Sequence, residues 1–361
     1  MPETIAPVAV DAMGGDNAPA AIVQGSLNAA RKGIPVILVG REAVVREQLA
    51  RLRAAPSLPI QVRHASEVVE MHDHPGQAIR RKKDNSIRIC FDLVKSGEAS
   101  AMVSAGNSGA VMAGAIFVLG RPDGVERPAI TSALPTPRGS TIMLDMGAVV
   151  DCKPVHLVQF ALMGEVYARR AMGVARPRVA ILANGEEESK GTELTRLAAA
   201  ALRRSAVDFV GYCEGRDLLT GEYDVIATDG FTGNVALKTM EGTARIIGEL
   251  LDATLRGGSA RAMLGGLLAR PALQRMKRRI DWRELGGAPL VGVSGVGFVS
   301  HGRSDALAIE NAVRRAREAA GTHFTDEIAA AVAPAAALLA EAEGAAPADP
   351  RGPRNTAQAD A

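Results

Sequence analysis

Three stretches of this 361-residue chain combine glycine with small polar side chains in a way suited to holding a phosphate or a carbonyl oxygen. They read Asp11-Ala12-Met13-Gly14-Gly15-Asp16-Asn17, Ser104-Ala105-Gly106-Asn107-Ser108-Gly109 and Asp229-Gly230-Phe231-Thr232-Gly233-Asn234. Glycine lets backbone approach an anion closely, and a helix start behind such a loop presents free N–H groups and positive dipole. Any one loop reads equally well as ordinary cap and turn chemistry. Three at strand ends, expected on one edge of a sheet, point to a binding cleft. Lys190, in Gly185-Glu186-Glu187-Glu188-Ser189-Lys190-Gly191, is either an exposed loop charge or a cation set against phosphate. His301 follows a glycine-rich connection and precedes Gly302. A lone histidine is more often structural, but one turned into the cleft would bind an anion or supply a proton.

Other chemistries lack their residues. There is no P-loop, no Gly-x-Gly-x-x-Gly behind the first strand, no Gly-x-Ser-x-Gly elbow and no His-Glu-x-x-His. His64, His72 and His74 sit in a turn-like, solvated context and make a poor metal set. Cys90, Cys152 and Cys213 form no CxxC pair and read as free thiols of a reducing compartment. No metal and no cofactor is called for. A formal charge of +2 is too small to predict nucleic-acid binding.

The elements that must position these loops follow from periodicity. Strands are expected at 7–10, 35–39, 60–63, 100–104, 129–134, 141–145, 178–183, 207–212, 224–228 and 290–294, with amphipathic helices between them. One helix from Asn234 puts Ala236, Met240, Ala244, Ile247 and Leu251 on one face. Another from about Arg303 aligns Ala306, Ile309, Val313, Ala316 and Ala320. Continuous apolar strands alternating with helices predict an α/β chain, its mostly parallel sheet covered on both faces. With 47% hydrophobic and 23% charged residues the composition is that of an ordinary globular protein. No signal peptide or membrane span is read, so the expected location is cytoplasmic.

Residues 253–283 depart from this rhythm. Arg256, Arg261, Arg270, Arg275, Lys277, Arg278, Arg279 and Arg283 are opposed only by Asp281, and Leu264, Leu267 and Leu268 lie among them. This predicts a protruding basic helical segment that meets an anionic membrane surface, or equally a subunit or carrier-protein contact. Residues 344–361 read as a disordered tail behind a 1–343 α/β domain.

Together, Asp11-Ala12-Met13-Gly14-Gly15-Asp16, Arg80-Arg81-Lys82-Lys83, the 104–109 and 229–234 loops and His301-Gly302-Arg303-Ser304-Asp305 resemble the bacterial phosphate acyltransferases (acyl-acyl-carrier-protein:phosphate transacylases). The likeness runs from about residue 7 to about 325. It implies a three-layer α/β/α sandwich of the phosphotransacetylase and isocitrate-dehydrogenase type, working as a homodimer; peripheral association with the membrane is expected from the basic 253–283 segment. It implies transfer of a long acyl group from acyl carrier protein to inorganic phosphate, giving an acyl phosphate for phospholipid synthesis. A membrane acyl-phosphate:glycerol-3-phosphate acyltransferase would consume that product. Rivals are a short-chain phosphotransacetylase using acyl-CoA, a nicotinamide-dependent dehydrogenase, and a non-catalytic carrier-protein or lipid binding module.

The expected roles follow. Lys190, Asn234 and His301 are catalytic. Asp11, Gly14, Gly15, Asp16, Ser104, Gly106, Asn107, Ser108, Gly109, Asp229, Thr232 and Gly233 hold phosphate and thioester. Arg80, Arg81, Lys82 and Lys83 meet acidic carrier protein. One position departs from the family: Asp145-Met146-Gly147-Ala148-Val149 has valine where relatives tend to have asparagine, and Val149 cannot hydrogen-bond through its side chain.

Overall fold

The computed structural model describes residues 6–257 and 260–345. Its strands are β1 (Val8–Asp11), β2 (Val36–Gly40), β3 (Ile60–His64), β4 (Ala101–Ser104), β5 (Ala129–Thr136), β6 (Gly139–Leu144), β7 (Arg178–Leu182), β8 (Asp208–Cys213), β9 (Val225–Ala227), β10 (Ala288–Val291) and β11 (Gly297–Val299). They form one sheet in the order β3-β2-β1-β4-β11-β10-β5-β6-β9-β7-β8. Each of the ten expected strands is present within a few residues. β11 is the addition: three residues behind Ser294-Gly295-Val296 are too few for a period-two signal. It pairs parallel to β4, Val299 opposite Ser104, so His301 emerges beside the 104–109 loop.

Alternation explains the layers. Val8 and Val10 face a core shared with helices Ala20–Arg31, Pro154–Ala171 and Ala306–Ala320. Ala9, Met102 and Leu290 face the other layer, helices Ser86–Lys95 and Ser108–Gly114. Ile309, Val313 and Ala316 are buried as the apolar stripe requires.

The sheet corrects one expectation. β11/β10, β10/β5 and β5/β6 are successive antiparallel pairs, an odd number, and β9 is parallel to β6. β9 therefore runs opposite to β1 and β4, and its loop leaves from the other edge. The three glycine loops do not share one edge, because a run of apolar residues carries no information on strand direction.

Helix Gly230–Gly257 spans the gap. At about 1.5 Å per residue its 28 residues extend roughly 42 Å. Ala236, Leu237 and Met240 pack on the Met143, Met146 and Ile226 cluster. Every side chain from Thr243 to Leu250 is then exposed, so Ala244 and Ile247 are not core as their spacing suggested. Helix Ala260–Ile280 packs back against it. The exposed part of this element thus begins near Thr243, ten residues ahead of 253. Leu267 and Leu268 are exposed; the side chain of Leu264 lies outside the described ones. Among the described residues no helix is long and apolar enough to cross a membrane. Helix Ala335–Ala345 takes in Gly344 and Ala345, and the rest of the expected tail lies outside the described residues.

Candidate active site

The first cluster forms where β1, β4 and β11 end. Asp11, the last residue of β1, is buried and accepts the Ser104 hydroxyl at 2.7 Å and the Met13 N–H at 3.1 Å. Burial pushes its carboxyl up, opposed by hydrogen bonds from Ser86 and Ser104. Ser104 Oγ in turn accepts the Gly106 N–H at 3.0 Å. A Cβ on Gly14 would strike Asp11 Oδ2 and the Gly106 backbone, so only glycine allows these two loops to touch. The Asp16 N–H donates to Gly302 O at 2.7 Å, and Asn17 Nδ2 to the carbonyls of Arg303 and Ser304.

These bonds reassign several expected ligand groups. Asp11 and Ser104 are sealed inside and build the loop. Asn107 is also committed: Oδ1 accepts the Ala110 N–H, and Nδ2 donates to Met71 O and Asp73 O. Asp16, Ser108 and Gly109 remain exposed. Helix Pro75–Arg81 packs beside this loop, with Pro75 against Gly109. Of the basic run it carries, Lys82 is used internally, donating to Asp73 Oδ2 at 2.5 Å and Val68 O at 2.8 Å. Lys82 holds the Asp73 carboxyl below its usual range. Arg80 lies 4.7 Å over the exposed Phe117 ring, and Arg81 and Lys83 are exposed.

The second cluster joins the ends of β6 and β9. Buried Asp145 accepts N–H groups from Ile130 at 3.0 Å and Val149 at 2.6 Å, while burial raises its carboxyl. Val149 O accepts the Gly230 N–H at 2.8 Å. Val149 thus holds this frame through its backbone, which any residue supplies. Asp229 caps the long helix, taking the Thr232 N–H at 2.8 Å and its hydroxyl at 2.7 Å, so Thr232 is paired internally. Gly233 lies against the Asp145 carbonyl, and Gly147 (φ +127°) faces the exposed Asn234. Lys190 is exposed at the end of β7, two strands from β6, in a turn tied by Gly191 N–H to Asn184 Oδ1.

Lys238 and Glu241 connect the clusters, and motif reading missed both. Lys238 Nζ donates to the two Glu241 oxygens at 3.2 and 3.1 Å. Glu241 Oε2 lies 4.0 Å from His301 Nε2 and 3.8 Å from Arg303. Their signal was an ordinary i,i+3 charge pair, common on solvated helices. Burial first, then Lys238 and Arg303, lowers the His301 pKa, so its imidazole is neutral at pH 7. The long helix therefore starts at one cluster and reaches the other at Glu241, about three turns later. The surface beside it presents cations, an amide and a neutral histidine, a set suited to anions and acyl oxygens.

Known proteins place this architecture. The family described as "Fatty acid synthesis protein" matches residues 6–327. The chain is 74% identical over 357 residues to the phosphate acyltransferase of Anaeromyxobacter sp. (strain Fw109-5), covering 99% of each. It is 53% identical over 352 residues to that of Myxococcus xanthus (strain DK1622), covering 96% of this chain and 97% of the relative. Among solved structures, a phosphotransacetylase from Streptococcus pyogenes superposes with a TM-score of 0.59 at 15% identity, over 88% of this chain and 94% of that one. The EutD phosphotransacetylase from Staphylococcus aureus gives 0.55 at 16% identity, with the same coverage. At that identity the likeness speaks to the fold, a mostly parallel sheet between helical layers. The full-length identity and the family match together mean that this chain belongs to the phosphate acyltransferase family and is an acyltransferase.

Proposed function

We propose that the cleft along helix Gly230–Gly257 transfers a long-chain acyl group from acyl carrier protein to inorganic phosphate. The observation that carries this reading is the single helix joining the Asn234 loop to Lys238, Glu241 and His301. Phosphate is already a competent nucleophile at neutral pH, so positioning and removal from bulk water are the main requirements. Its oxygen attacks the thioester carbonyl, a C–O bond forms, and the C–S bond breaks to release thiolate. Ser108, Gly109 and the 229–234 loop hold phosphate, with Lys190 contributing charge. Asn234 and Lys190 stabilise the oxyanion, and neutral His301 offers the departing sulfur a hydrogen bond. No covalent acyl-enzyme is required. In the test, thiol release from palmitoyl-carrier protein should depend on phosphate, yield a hydroxylamine-reactive acyl phosphate, and need no ATP or NAD. Full turnover without phosphate would overturn this reading. Equal use of acyl-CoA would move the donor to the short-chain type.

The projecting helices belong to the same reading, with the protein acting as a homodimer and meeting an anionic membrane surface. Ile246, Ile247, Leu250, Leu267 and Leu268 are at least half exposed, which is costly in water and favourable at a bilayer interface. Neighbouring Arg or Lys side chains add roughly 1 kcal/mol each near anionic lipid. There the lipophilic acyl phosphate passes to a membrane acyl-phosphate:glycerol-3-phosphate acyltransferase. Replacing Leu267 and Leu268 by Glu should abolish co-sedimentation with anionic liposomes while soluble turnover and dimer mass persist. A monomeric double mutant would instead assign these leucines to the subunit contact.

A further inference from the structure

A cavity of ≈ 500 Å³ opens between the loop that precedes β5 and the start of helix Pro154–Ala171, outside the residues assigned above. Arg121, Arg127 and Lys153 line it, with Glu126 and His156. The loop is bolted in place: Gln159 Nε2 donates to Gly124 O at 2.8 Å, and its Oε1 accepts the Glu126 N–H at 2.9 Å. Arg121 donates to the Glu126 carbonyl.

Glu126 is the one acidic group lining the cavity, and the structure turns it aside. His156 is 4% exposed, and its Nδ1 accepts the Lys153 N–H at 3.1 Å. The ring proton therefore sits on Nε2, which donates to Glu126 Oε2 at 3.2 Å. Burial first keeps this ring neutral, with Arg127 and Lys153 acting in the same direction against Glu126. Three cations and one engaged carboxylate leave a net charge of +2 (3 − 1) on the wall. The positive end of an 18-residue helix adds to it.

The cavity adjoins the second cluster through both of its walls. Arg127 lies three residues before Ile130, whose N–H donates to Asp145. Lys153 lies four residues after Val149, whose carbonyl holds Gly230. The cavity thus lies where β5 begins and β6 ends, next to the frame that holds the start of helix Gly230–Gly257.

We propose that this cavity binds a phosphate-type anion, and that it anchors the phosphodiester of the donor's pantetheine arm rather than the acceptor phosphate. The donor assignment rests on the function proposed above; binding of the anion does not. Calorimetric titration of the whole protein with phosphopantetheine, pantetheine and inorganic phosphate tests binding without turnover. Phosphopantetheine should bind about tenfold or more tightly than pantetheine, and Arg127→Ala with Lys153→Ala should erase the difference. Arg127→Lys should restore part of it, and melting should be unchanged because Arg121, Arg127 and Lys153 are exposed. In kinetics, the double variant should raise KM about tenfold for acyl-carrier protein, with KM for phosphate and kcat unchanged. A rise in KM for phosphate instead would make this the acceptor site and overturn the donor anchor. Equal binding of phosphopantetheine and pantetheine by the wild type would overturn the anion site itself. Absence of turnover with any thioester, with binding intact, would sink the proposed function while leaving the cavity assignment standing.

Discussion

Asn234→Ala should lower turnover by about 10²-fold or more, the loss that follows removal of one donor from a developing oxyanion. Asn234 lies one turn into helix Gly230–Gly257, exposed, facing Gly147. Gly147 adopts φ +127°, a region side chains rarely occupy, and its missing Cβ leaves room in front of the amide. The helix start beneath is already fixed by Asp229 and by the Val149 carbonyl, so truncation leaves the frame standing. The defect should appear in kcat, with circular dichroism and melting near wild type. Lys190→Ala should cost a similar factor if its ammonium reaches the same charge from the end of β7. Its position two strands from β6 makes this the more exposed half of the assignment. Near-normal kcat in both variants would remove the 229–234 and 185–191 loops from the chemistry. A defect confined to Asn234→Ala would leave Lys190 as a surface charge.

Gly233→Ala is expected to damage stability and activity together. A Cβ at this position would run into the Asp145 carbonyl oxygen, with the Thr228 methyl at 2.9 Å on its other side. The Asp145 backbone has little freedom to yield, because Asp145 is buried and its carboxylate gathers the N–H groups of Ile130 and Val149. Overpacking of this kind costs about 1–3 kcal/mol, sometimes more. The midpoint of chemical denaturation should fall accordingly, and turnover should fall with it as the Asn234 turn shifts. Gly242→Ala is the control. It lies in the same helix with nothing within 4 Å of an added Cβ, so helix propensity alone predicts a gain of up to about 1 kcal/mol. Equal stability of Gly233→Ala and wild type would mean that the Asp145 turn and the helix start are not locked together.

Much of the architecture was legible in the residues. Strands such as Val36–Gly40 and Arg178–Leu182 are short apolar runs bounded by polar turns, and their period alone marks them as buried. Local motifs also located the glycine loops and His301, because glycine and small polar residues cluster at turns and helix starts. Their division of labour was not legible. Asp11, Ser104, Asn107 and Thr232 look like ligands in sequence, yet each is consumed by an internal hydrogen bond. For Asp11 and Ser104 the partner lies 93 residues away, which local pattern cannot encode; for Asn107 and Thr232 the bond spans three residues, and local pattern fits a cap as well as a ligand.

The sequence by itself determined the fold class, the family and where the glycine-rich loops lie, since these follow from periodicity and from motifs a few residues long. Only the tertiary structure decided how the loops meet. Three antiparallel pairings reverse β9 relative to β4, and an eleventh strand of three residues brings His301 beside Ser104. Glu241, an unremarked charge on an amphipathic helix, becomes the point where Lys238, His301 and Arg303 converge. Strand direction and side-chain convergence are set by the packing of the whole sheet, so they emerge only when the chain has closed on itself.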